Sequence, residues 1–164
     1  MKLLMKLKHW HIFLIMIIPG YFIKDRLTMI IIVTGILTFY SAWIFSIGLL
    51  GQLRLNEERE NVMKINLFKI CCFLLPILWL KLVMAPQILT SFISDPIMRT
   101  LNIILSIAFI LAELYMIYFA SKTVKTIEMK SEPKISEILL LMVMFILLPI
   151  GIWFIQPKNN KIYA

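Results

Sequence analysis

Only one carboxylate stands well inside an apolar run of this chain: Glu113, within LNIILSIAFILAELYMIYFAS (101–121). At 1.5 Å per helical residue it is about 18 Å from position 101 and about 12 Å from position 121. A charge at that depth in hydrocarbon costs about 2.5–3.5 kcal/mol, so such residues turn toward protein or water. Two chemistries fit. One is a proton or cation site. The other is a neutral carboxyl hydrogen-bonded to Thr34, Thr38 or Tyr115. Lys81, inside another apolar run, is the counter-ion to test. It lies about 6 Å from the end of that run, leaving about 12 Å of depth between the two residues. A lysine near a helix end extends outward to water.

The remaining reactive residues are sparse. His9 and His11 flank Trp10. They read as an interfacial aromatic belt, or as a pH-sensitive pair. Cys71 and Cys72 are adjacent, so on a helix they point about 100° apart. They read as small packing residues, and no histidine or second pair completes a metal site. The sequence has no phosphate loop, no Gly-x-Ser-x-Gly and no His-Glu-x-x-His. No second buried acid stands by to divide acid and base roles with Glu113. The expectation is a protein without enzymatic activity, cofactor or metal.

Composition says what must hold these residues. Of 164 residues, 61% are hydrophobic and 16% charged, and the mean hydropathy is +0.91. Soluble domains are about 45–50% apolar and about 25% charged. A soluble fold of this length could not hide so much apolar surface, whereas bilayer hydrocarbon is itself the solvent. The net charge of +8 does not point to nucleic acid. The basic residues fall in short clusters between apolar blocks, as topology signals and headgroup contacts do.

The fold expected is all-α: one transmembrane helix bundle over 1–164, with spans at about 9–23, 27–52, 67–85, 101–121 and 138–156. Four spans are the alternative. One helix over 9–52 would measure about 66 Å, so the chain must turn back near Lys24–Arg26. Asn56 reads as the cap of the third helix, with Glu57, Glu58 and Glu60 in its first turn. PQILTSFISDPIMRT reads as a Pro-bounded loop, and KTVKTIEMKSEPKIS as a polar connection. Pro157 is expected to end the last helix. With five spans, the inner side would carry Lys2, Lys6, Lys8, Arg54, Arg59, Lys64, Lys122, Lys125, Lys130 and Lys134. The outer side would carry Lys24, Arg26, Arg99, Lys158 and Lys161. That bias predicts a cytoplasmic N-terminus and an external C-terminus. If the first segment does not cross, the N-terminus moves outside.

Two further patterns bear on packing. Thr34, Thr38, Ser41 and Gly48 keep to one side of the second span, a face of small residues that lets helices approach. It could also line a ligand site. MIIPGYF, FLLPILW and ILLPIGIWF each place a proline after branched aliphatics. Kinks are expected at Pro19, Pro76 and Pro149, with Gly151 leaving backbone uncovered beside the last.

YFASKTVKTIE, LLPIGIWFIQPKNNKI and the KHW…FL…IP start resemble a group of small, uncharacterised multi-pass membrane proteins of the Bacteroidota. Glu113 departs from that group, where the position is apolar. The resemblance implies a helical fold in a bacterial cytoplasmic membrane and no particular chemistry. The function expected is non-enzymatic association with another membrane protein or with itself, as an accessory or immunity-type factor. The alternatives are a small transporter or channel using Glu113, and a membrane-permeabilising effector. The partners expected are the lipid bilayer and membrane proteins.

Overall fold

The computed structural model describes residues 7–57, 63–88 and 95–163. Every element among them is helical. α1 (His9–Ile17) runs into a 3-10 turn (Ile18–Phe22), followed by α2 (Arg26–Glu57), α3 (Ile65–Ile88), α4 (Asp95–Met129), α5 (Ile135–Ile146) and α6 (Leu148–Tyr163).

The first turn of the chain forms where the sequence places it. Pro19 sits at the point where α-helix gives way to 3-10 geometry, which needs no N–H from it. Asp25 then starts α2. Its Oδ1 accepts from the Thr28 N–H at 2.8 Å, and Thr28 Oγ1 accepts from the Asp25 N–H at 3.1 Å, so two orphan donors are satisfied reciprocally. α2 continues past the expected end and includes Asn56 and Glu57. Asn56 therefore stands in the last turn of α2 and does not cap α3, which begins at Ile65. Glu58 and Glu60 lie outside the described residues.

α4 is also longer than expected. The stretch 122–129, read as part of a connection, is helix. There the hydroxyls of Thr123 and Thr126 each donate to the carbonyl four residues back, at 2.8 and 2.9 Å. Both threonines are buried, so this turn is held by packing. The helix stops at Lys130, which adopts a positive φ of 51°. Pro133 follows, and the connection to α5 is five residues, 130–134.

α2, α3 and α4 form the core. Ile44, Ile47, Phe68, Leu75, Met116 and Phe119 on these helices are fully buried, as is Trp43, which packs on Phe145 of α5. Gly48 sets the spacing: a Cβ there would lie 2.5 Å from the Phe68 ring and 3.3 Å from Phe119. The two rings stack at 4.2 Å beneath it. Outward, α4 shows a continuous apolar stripe of Ile103, Ile104, Ile107, Ile110, Leu111 and Leu114, all exposed. Large aliphatic side chains on the outer face and a tight core within are what hydrocarbon solvent favours. Among the described residues three helices are long and apolar enough to cross a membrane: Arg26–Glu57, Ile65–Val83 and Arg99–Met129.

The five crossings expected from the sequence are not reached. The first segment, His9–Phe22, is a shorter apolar helix, about 23 Å long counting its 3-10 turn. The fifth is not one rod: Ile135–Ile146 and Ile150–Asn160 meet at 117°, so it counts as a fourth span only if the bent pair is one crossing. α5 has 12 residues and a length of about 18 Å, against about 30 Å of hydrocarbon. Pro149 is the second residue of α6, where a missing N–H costs nothing. Gly151 lies against the Met144 carbonyl oxygen, into which a Cβ would run. What the glycine leaves uncovered is backbone for α5 itself to touch. Pro157 does not end the helix, which continues to Tyr163.

The chain is thereby turned back. Lys158 Nζ lies 3.0 Å from Glu128 Oε1 at the end of α4. The sequence reading set Lys158 across the bilayer from the lysines of 122–134. The ion pair puts them together.

Candidate functional site

Glu113 stands on α4 at the seam between core and outer face. Ala112, Met116 and Ile117 beside it are buried, while Ile110, Leu111 and Leu114 are exposed. Glu113 itself is half-buried. Among the described residues it makes no hydrogen bond or ion pair. The three expected partners do not reach it: Thr38 Oγ1 donates to the Thr34 carbonyl at 2.7 Å, Thr34 Oγ1 is buried without a partner, and Tyr115 packs against Phe119. Lys81 is exposed and unpaired with Glu113.

A cleft of about 300 Å³ opens between α2 and α3, lined by Thr38, Ser41, Ala42, Phe45, Cys72, Phe73 and Pro76. α3 continues unbroken through Pro76. The Cys72 carbonyl therefore lacks the N–H that residue 76 would ordinarily supply. Ser41 is 3% exposed, and its Oγ has no partner. Two members of the small-residue face, Thr38 and Ser41, thus line this cleft, while Gly48 is spent on packing within the chain. Contacts of Gly48 with Phe119 and of Gln52 with Thr123 set the register of α2 against α4. In that register Ser41 and Ala42 stand level with Glu113. Cys71 and Cys72 are free and buried.

Two glutamines that the sequence reading passed over organise the rest. Gln52 Nε2 donates to Thr123 Oγ1 at 2.8 Å, and its Oε1 accepts the Met63 N–H at 2.8 Å. It joins α2, α4 and the approach to α3. Gln156 Oε1 accepts from Trp43 Nε1 at 3.0 Å, and its Nε2 donates to the Leu7 carbonyl at 2.7 Å and to Asn160 Oδ1 at 3.0 Å. It joins α2, α6 and the start of α1. The signal was present: both are amides in apolar surroundings, in GLLGQL and WFIQPK. Taken as span ends they needed no partner, so their role was not visible.

His9 lies 4.3 Å from Trp153 of α6, and His11 stacks on Trp10 at 3.6 Å. His9 docks α1 on the hairpin, whereas His11 stays within α1, where its Nδ1 accepts the Lys8 N–H at 3.2 Å. Among the described residues no group of three or more metal-binding side chains occurs. At the far end of α4, Lys125 and Lys158 both bind Glu128, at 2.7 and 3.0 Å, and Lys122 binds Glu132 at 2.9 Å. These bridges join α4, the 130–134 turn and α6.

No protein-family model, no curated protein and no solved structure matches this chain.

Proposed function

We propose that this chain is an integral protein of a bacterial cytoplasmic membrane that acts without catalysis, by associating with another membrane protein through the α4 surface around Glu113. The observation that carries the reading is the half-buried, unpartnered carboxyl of Glu113 beside an exposed aliphatic stripe. A partner helix bearing a hydrogen-bond donor would relieve the cost of leaving that carboxyl in hydrocarbon. The aliphatic stripe beside it offers van der Waals contact.

In this reading the N-terminus is cytoplasmic. The chain crosses with α1 and its 3-10 turn, then α2, α3 and α4. The α5–α6 hairpin enters from the cytoplasmic face and returns to it. Placing Lys158 beside Glu128 moves its charge to the cytoplasmic side and leaves Lys24, Arg26 and Arg99 as the outer loop cations. That sharpens the lysine and arginine asymmetry in the direction the positive-inside rule requires.

Purification in mild detergent tests the association. The wild-type chain brings down a stoichiometric membrane partner, Glu113→Gln retains it and Glu113→Leu loses it. A chain that isolates alone, with the leucine variant indistinguishable, contradicts the reading. One observation favours a second reading, a small transporter: the α2–α3 cleft stands level with Glu113. In that case proteoliposomes carry a proton or cation flux that Glu113→Gln abolishes.

A further inference from the structure

We infer that the cleft between α2 and α3 is a binding site for a neutral lipophilic alcohol, an apolar body carrying one hydroxyl that enters from the lipid. Ser41 Oγ is a donor with no acceptor, on a residue 3% exposed and facing the cleft. Cys72, 4% exposed on the opposite wall, has a carbonyl whose helical donor was removed by Pro76. An unpartnered hydroxyl and a carbonyl without its helical donor, on two walls of one cleft, call for a group that is both acceptor and donor. A hydroxyl is the smallest neutral group that does this: its oxygen accepts from Ser41 and its hydrogen is donated to the Cys72 carbonyl. A saturated acyl chain leaves both groups unsatisfied, which is costly in hydrocarbon. A single water satisfies them but leaves most of about 300 Å³ unfilled. The remaining walls, Ala42, Phe45 and Phe73, are apolar and suit the body of the ligand. The volume sits at the lower end of small-molecule pockets, about 300–1,000 Å³. The site is independent of the association surface on α4.

The test uses the full chain in phosphatidylcholine vesicles and a diazirine-bearing octanol as photolabel. Adducts are expected on the peptides of α2 and α3 that contain Ser41 and Cys72. Unlabelled octanol suppresses them and octane does not. Ser41→Ala lowers labelling about threefold to tenfold, the effect of one lost hydrogen bond. Ala42→Phe, which fills the cleft, removes labelling altogether. Circular dichroism and elution volume match wild type in both variants. Labelling spread evenly along the lipid-facing helices, equal competition by octane, or no change in Ser41→Ala overturns the assignment.

Discussion

Gly48→Ala adds one methyl group where the three core helices meet, and the structure sets its cost. The new Cβ would stand 2.5 Å from Cε1 and Cζ of Phe68 and 3.3 Å from Cδ1 of Phe119. Ordinary carbon contacts lie at about 3.5–4.0 Å, so the Phe68 ring must retreat by about 1 Å. It has nowhere to go, being fully buried and stacked between Phe119 at 4.2 Å and Phe45 at 6.0 Å. Overpacking of this kind costs about 1–3 kcal/mol. Against it stands the helix-propensity gain of Gly→Ala, about 1 kcal/mol. Gly35 isolates that gain, because a Cβ there meets nothing within 4 Å. The separation between the two variants is therefore the overpacking term. At about 2–4 °C per kcal/mol for a chain of this size, it amounts to roughly 2–12 °C. The assay is the thermal midpoint of tryptophan fluorescence in mild detergent, with Gly35→Ala as the reference. Phe68→Leu in the Gly48→Ala background should recover most of the loss. Equal midpoints for the two alanine variants would refute the close three-helix contact.

Gln156→Leu should strand the Trp43 Nε1–H and the Leu7 carbonyl, each unsatisfied buried group costing about 1–3 kcal/mol. Limited proteolysis is expected to cut near the start of α1 far sooner than in wild type. Lys130→Gly should raise the thermal midpoint, because Lys130 holds a φ of 51° that costs a side-chain-bearing residue about 1–2 kcal/mol. Gly151→Ala drives a Cβ into the Met144 carbonyl oxygen and should spring the α5–α6 hairpin apart. A cysteine at position 160 then changes its accessibility, where Gly20→Ala, in open space, leaves it unchanged.

Much of the core was legible in the sequence because hydrophobicity and length decide it. The runs containing Trp43, Leu75 and Met116 are long enough to cross, and the turn at Lys24–Arg26 follows from counting. Helix ends were less legible. Thr123 and Thr126 read as polar connection residues, yet each bonds back along the helix and is buried. Polarity alone does not distinguish a solvated lysine-rich loop from the last turns of a packed helix. The hairpin was hidden for another reason. Residues 138–156 satisfy every length and hydropathy requirement for a crossing, and their 117° bend goes with the contact of Gly151 on Met144 and the long-range contacts of Gln156 and Lys158. At the candidate site, Glu113 and Pro76 were visible one at a time. That Ser41 faces Cys72 and Pro76 depends on the α2–α3 register, which no local pattern encodes.

The central claim is that three long helices cross the membrane and the C-terminal segment returns to the side it entered from. The most direct measurement is sidedness labelling in intact cells, with Cys71→Ala and Cys72→Ala as background and single cysteines introduced at positions 25, 131 and 160. An impermeant maleimide is predicted to label position 25 only, with 131 and 160 reacting together once the cells are opened. Labelling of 160 from outside while 131 stays protected would show a full final crossing and contradict the folded-back hairpin.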